Sequence, residues 1–128
     1  MRLATEIYTP HVRACRDFYV DFFGFAVELE AEGFVVLRPW EAPTGPQLLF
    51  CLPNSPFVQP LFHPAFAGQG VLLQWAVADL DAEYGRLRQL AAPIVLAMIE
   101  EPFNGRHFTL RDPAGLLVDV VQVTLAIA

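Results

Sequence analysis

One order of elements is written twice along this chain, and that constrains the fold more than any other feature. Arg2–Thr9 reads as a strand stopped by Pro10. Val12–Phe23 reads as a helix, with Cys15, Phe18, Tyr19, Phe22 and Phe23 at spacings of three and four on one face. Gly24 closes that helix as a C-terminal cap. Phe25–Glu32 alternates Phe25, Val27 and Leu29 with Glu28, Glu30 and Glu32, Gly33 turns the chain into Phe34–Leu37, and Pro46–Leu52 gives a fourth strand. Val71–Val77 then starts the order again. A helix over Leu80–Leu90 follows, opened by Asp79 as N-cap, and then strands at Pro93–Ile99, Arg106–Arg111 and Leu116–Val123. Strand-helix-strand-strand-strand thus recurs at an offset of roughly 68 residues, with little sequence shared between the copies. Between them Pro53–Gln69 is rich in Pro, Phe, Gln and Gly and has no periodicity; such a long loop in a small domain is a functional segment, an interface or a linker. The reading is a single domain over 1–128, with modules at about 1–52 and 70–128 and the loop 53–69 between them.

The last two strands meet at Asp112-Pro113-Ala114-Gly115, where Pro113 suits the second position of a turn and Gly115 supplies conformational freedom. The strand that follows sets Asp119 among Val118, Val120 and Val121. A carboxylate in such surroundings is costly unless it is paired, protonated or bound to something.

Composition excludes several classes. The chain is 55% hydrophobic and 17% charged, which favours a large buried core and an apolar subunit interface. The net charge of −6 and the absence of a basic cluster argue against nucleic acid as partner. An acidic groove suits a cationic or neutral ligand, although the same charge serves solubility. The N-terminus has no basic-then-apolar signal pattern, and no run approaches a membrane span. Cys15 and Cys51 lack metal-site spacing and read as free buried thiols in a reducing cytoplasm. No Ser/His/Asp order, glycine-rich phosphate loop or Cys-x-x-Cys motif is present.

The double element order, with Phe18-Tyr19-Val20-Asp21-Phe22-Phe23-Gly24-Phe25 closing the first helix and Asp112-Pro113-Ala114-Gly115 in the last hairpin, resembles the glyoxalase / bleomycin-resistance / extradiol dioxygenase superfamily, also called vicinal oxygen chelate. The run from Glu101-Pro102-Phe103 through Arg106-His107-Phe108-Thr109-Leu110-Arg111-Asp112-Pro113 looks most like bleomycin-resistance-type members. The resemblance implies an α+β fold of two βαβββ modules whose curved mixed sheets enclose a U-shaped cavity, and a homodimer with sites often shared between chains. It also implies a divalent metal held by four strand residues, usually His, Glu or Gln. Counting from Phe18-Tyr19, those positions fall on Ala4, near Leu49, near Leu72 and on Asp119. Three of the four cannot coordinate, and one carboxylate does not make a site for Zn²⁺, Ni²⁺ or Fe²⁺. The expectation is therefore no cofactor, with a divalent metal as the alternative. That alternative needs a set shifted by one pleat, Glu6, Gln47 or Cys51, and Gln74, to join Asp119 across about 6.6 Å of strand.

The expected function is metal-independent binding and sequestration of a small aromatic or cationic molecule. The alternative is a lyase, isomerase or dioxygenase-type enzyme with a non-standard metal or acid–base site using Asp119 and Glu6, the two candidate catalytic residues. If those carboxylates sit together, one of them should hold its proton unusually tightly. The candidate ligand-binding residues are Glu6, Trp40, Gln47, Phe50, Gln74, Arg106, Phe108 and Asp119. Trp40 offers a stacking surface or a packing contact, while Trp75 turns away from the cavity. Phe50 and Phe108 read as core before they read as site. Arg106 shares a face with Phe108 and Leu110 and pairs with Asp119 or a nearby Glu, or meets an anionic group. His11, His63 and His107 are scattered and read as solvated.

Overall fold

The element order predicted from periodicity is the order found. The computed structural model describes residues 1–103 and 105–122; Val123, placed in the last strand above, and Asn104 lie outside the described residues. The elements are β1 (Ala4–Tyr8), α1 (Val12–Phe23), β2 (Phe25–Ala31), β3 (Phe34–Pro39), β4 (Gln47–Cys51), β5 (Leu72–Val77), α2 (Leu80–Gln89), β6 (Ile94–Glu101), β7 (Gly105–Arg111) and β8 (Leu117–Gln122). They form an α+β fold with two four-stranded mixed sheets, ordered β1-β4-β3-β2 and β5-β8-β7-β6. In each sheet the first strand runs parallel to the last, and the other neighbours are antiparallel. The chain divides into two compact units. The first is Met1–Ala67 with Pro113–Gly115, and the second is Gly68–Asp112 with Leu116 onward.

In the first unit α1 covers one face of its sheet. Cys15, Phe18 and Tyr19 are buried together with Ile7, Val35, Leu37, Leu48 and Phe50, and Tyr19 stacks on Phe50 at 5.6 Å between ring centroids. These strand residues alternate with Glu6, Phe34, Val36, Leu49 and Cys51, so the latter take the helix-free face. Gly24, at φ +66°, ends α1 in the left-handed region, where a residue with a Cβ is disfavoured. The alternation expected in β2 breaks at a bulge between Val27 and Leu29, and both side chains are substantially exposed. β2 is an edge strand, bonded on one side only, so its pleat is less constrained. The 53–69 segment carries local turn bonds and one bond to β1. A 3-10 turn spans Pro60–Phe62, and the Phe66 N–H donates to the Tyr8 carbonyl on β1 at 2.9 Å.

The second unit repeats the plan. Asp79 caps α2 by accepting from the Ala82 N–H at 3.0 Å. Asp81 and Glu83 in the first turn and Arg86 and Arg88 in the last complement the helix dipole. Leu80, Leu87, Phe108, Leu110, Val118 and Val120 fill the space beneath the helix. The β7–β8 turn closes on Asp112, whose carboxylate accepts from the Leu116 N–H at 2.9 Å, with Gly115 at φ +91°. That closure sets the register: Thr109 and Asp119 face each other, five residues either side of Ala114.

Candidate functional site

Asp119 lies on the helix-free face of β8 and is 7% exposed. The strands on either side supply what surrounds it. From β7, directly opposite, the Thr109 hydroxyl donates to Asp119 Oδ1 at 2.9 Å. One pleat further along β7, His107 Nδ1 lies 2.6 Å from the same oxygen. The other ring nitrogen of His107, Nε2, is hydrogen-bonded to Glu101 at the end of β6. From β5, Gln74 stands opposite Asp119 in the parallel register. His107 is thus held between two carboxylates, one buried and one half-exposed. Its hydrogen bond to Asp119, aided by the one to Glu101, raises its pKa above the usual histidine value against the opposing effect of burial.

This corrects the expectation of a solvated histidine: His107 is only 6% exposed. The turn closes between Asp112 and Leu116, one residue wider than the Asp112–Gly115 motif suggests, and that register places Thr109 opposite Asp119 and His107 on the same face, two residues away. His63 also departs from a solvated reading, since its Nε2 is buried without a hydrogen-bond partner among the described residues. His11 is exposed at the start of α1.

Glu6 occupies the helix-free face of β1 in the first unit, so the two carboxylates expected to act together fall in separate units, each with its own partners. The Cys51 thiol donates to Glu6 Oε1 at 2.9 Å. Burial, reinforced by Glu6, pushes the Cys51 thiol pKa up to about 12, so it stays protonated and serves as a donor rather than a nucleophile. Tyr8 is raised above the ordinary phenol value by burial and by the same two neighbours. These side chains line an open cleft of about 610 Å³ with Glu32, Phe34 and the Pro53–Pro56 turn.

The remaining candidates are placed as follows. Gln47 donates to Glu28 at 2.9 Å, in a cluster where Arg2 and Arg38 also pair with Glu28. Trp40, 70% exposed, follows β3, and its carbonyl accepts from Arg38 at 3.0 Å. Phe50 and Phe108 are fully buried against Tyr19 and Tyr84 of the covering helices, on the faces opposite Glu6 and Asp119. Arg106 does share that helix side with Phe108, but its partner is Asp81 of α2 rather than Asp119. Alternation along β7 turns it away from Asp119. Trp75 pairs with Val120 on the helix side of β5.

The donor set does not suit a divalent metal. Ala4, Leu49 and Leu72 offer no lone pair, and Asp119 is engaged by His107 and Thr109. Among the described residues, no three His, Cys, Asp or Glu side chains are arranged to hold a metal ion. The shifted set is dispersed, because Gln47 turns to Glu28 and Cys51 to Glu6.

Among solved structures, the chain is similar to a lactoylglutathione lyase from Agrobacterium tumefaciens, at 26% identity and a TM-score of 0.72 over 94% of this chain and 91% of that one. It has the fold of TnmS3, an antibiotic-binding protein from Streptomyces sp. CB03234, at 20% identity and a TM-score of 0.71 over 97% and 96% of the two chains. It also has the fold of a glyoxalase/bleomycin resistance protein/dioxygenase from Nocardioides, at 17% identity and a TM-score of 0.77 over 96% and 83%. No curated protein matches the chain. The family model that matches covers residues 3–120, and by it the chain belongs to the Glyoxalase/Bleomycin resistance protein/Dioxygenase superfamily.

Proposed function

We propose that this protein binds and sequesters a small organic molecule without a metal ion. The observation that carries this reading is the chemistry of the four positions at which metal-dependent relatives would place ligands. Three are apolar, and the fourth, Asp119, is already bonded within its own sheet. Loss of coordinating groups removes Lewis-acid chemistry and leaves a shaped, partly polar surface. The cleft beside Glu6 and Glu32, at about 610 Å³ with Tyr8 and Phe34 in its wall, has the size of a drug-binding site and the charge and aromatic character for a cationic or aromatic ligand. TnmS3, which shares the fold, is an antibiotic-binding protein. The expected assembly is a homodimer, which light scattering after gel filtration tests. Cys15 and Cys51, both thiols rather than a disulfide, suit a reducing cytoplasm.

A panel of glycopeptide and related drugs should raise the melting temperature of the purified protein, while Zn²⁺, Ni²⁺, Mn²⁺ and Fe²⁺ should not bind stoichiometrically. No shift with any drug would count strongly against sequestration. About one metal per chain, lost in Asp119→Ala, would make the enzymatic reading lead. That second reading, acid–base chemistry at Asp119, is favoured by one observation: a buried carboxylate hydrogen-bonded to an imidazole.

A further inference from the structure

We propose that the free edge of β6 is the surface on which a second copy of this chain docks, antiparallel and across a two-fold axis. The proposal rests on the homodimer expected above and names its contact surface; it is independent of the ligand. From Leu90 to Ile99 the chain reads Leu-Ala-Ala-Pro-Ile-Val-Leu-Ala-Met-Ile, ten residues without a charged or hydrogen-bonding side chain. This run leaves the end of α2 and becomes β6, which is bonded to β7 on one side only. Bulges between Ile94 and Leu96 and between Leu96 and Ile99 break the alternation, so Val95, Leu96 and Ala97 are exposed in succession. Leu90 and Pro93, just before them, are exposed too. An apolar stripe of this kind on a folded chain marks an interaction surface. The Met98 N–H already donates to the Tyr84 hydroxyl at 3.3 Å, so the contact is one of side chains rather than of an extended ladder.

The contrast with β2 shows what β6 lacks. β2 is likewise bonded on one side only, and its exposed Val27 and Leu29 alternate with Glu28, Glu30 and the following Glu32. Interleaved charge keeps an edge from pairing. On β6 the charge is instead gathered at the two ends of the stripe, with opposite sign. Arg88 lies in the last turn of α2, where its carbonyl accepts from the Ala91 N–H at 3.0 Å. The Arg111 N–H donates to the Pro93 carbonyl at 3.2 Å, which puts a second arginine at the same end. Glu100 and Glu101 stand at the far end. Glu101 is bonded to His107, and Glu100 faces Arg106, an arginine committed to Asp81. A second copy laid parallel would set arginine against arginine and glutamate against glutamate. Laid antiparallel, it sets Glu100 of each copy toward the basic end of the other, while the apolar stripe meets itself in the middle. The occupant that fits this pattern is the same chain, and a two-fold contact closes without offering the stripe to further copies.

The test is sedimentation velocity on the full chain, read beside thermal unfolding. Wild type should sediment as a dimer. Leu96→Glu should halve the mass and leave the unfolded-to-folded transition intact, since Leu96 is exposed. Glu100→Arg, which changes only the rim, should weaken the dimer roughly tenfold, and adding Arg88→Glu should restore most of the loss. Glu100→Arg decides the point if Leu96→Glu fails to fold. A monomeric wild type would overturn both this proposal and the expected homodimer. A dimer of unchanged strength in Leu96→Glu and Glu100→Arg would overturn this surface alone and leave the homodimer standing.

Discussion

Aligned by register, the two units put opposite chemistry at equivalent places. In the second unit Asp119 stands between Gln74 and Thr109, with His107 one pleat away on β7. In the first, Leu49 stands between Glu6 and Val36, with Phe34 one pleat away on β3. A whole group of positions is polar in one copy and, on its two central strands, apolar in the other. The lesson is that a buried carboxylate in a sheet does not come alone: its neighbours across the strands change with it. Where the central strand carries Leu49, the carboxylate beside it, Glu6, sits on the edge strand. There it needs only a thiol from Cys51 and an open cleft. Where the central strand carries Asp119, burial demands a full hydrogen-bonding set.

The helix side is where the two units are alike, and the largest effect is expected there. Phe50→Ala and Phe108→Ala should each cost about 3–5 kcal/mol, read by denaturant unfolding. A loss below about 1 kcal/mol at either would mean that the ring is not core. On the helix-free side only the second unit should be sensitive to a histidine. His107→Ala leaves the buried Asp119 without its ring partner and should cost about 3 kcal/mol, while Phe34→Leu at the equivalent site should cost about 1 kcal/mol.

That contribution also carries a pH signature. His107 has a folded pKa raised above its unfolded value, so its stabilisation is complete below the unfolded pKa. It fades as pH rises through the folded one. Wild-type stability should therefore fall relative to His107→Gln as pH climbs above the ordinary histidine range, and parallel profiles would mean that the ring is not paired with Asp119. Converting the second unit to the chemistry of the first, by Asp119→Leu, Thr109→Val and His107→Phe together, should leave stability within about 1 kcal/mol of wild type. Replacing a complete buried polar set by apolar groups is often neutral. A triple variant as damaged as His107→Ala would show that packing, not pairing, governs the face. Smallest of all, Cys51 in the native protein should react with alkylating reagents far more slowly than after unfolding. Burial and Glu6 hold it as a thiol, with a pKa near 12. Equal rates would remove Cys51 as the partner of Glu6.

Much of this was legible along the chain. Val12–Phe23 begins and ends where its apolar spacing and Gly24 put it, because helix periodicity and a left-handed cap are local properties. The β7–β8 hairpin was legible too, since Asp112-Pro113-Ala114-Gly115 marks a turn, but its register, with Asp112 closing on Leu116, was not. Arg106 was misplaced for a different reason. Its face was read correctly, but its partner, Asp81, comes from a helix about 25 residues earlier, and no local pattern names it.

By itself, then, the sequence determined the elements, their repeated order and the presence of a carboxylate that could not stand unpaired. These follow from side-chain periodicity, turn chemistry and the cost of burying charge, each readable within a few residues. Only the tertiary structure decided which groups meet that charge. Parallel pairing of β5 with β8 places Gln74 opposite Asp119 across some 45 residues of chain. The reach of β6 to Glu101 places a second carboxylate on His107. The covering helices claimed Phe50, Phe108 and Arg106 for the opposite face. Strand pairing over such separations depends on how whole faces are buried, and that is a property of the folded chain rather than of any segment of it.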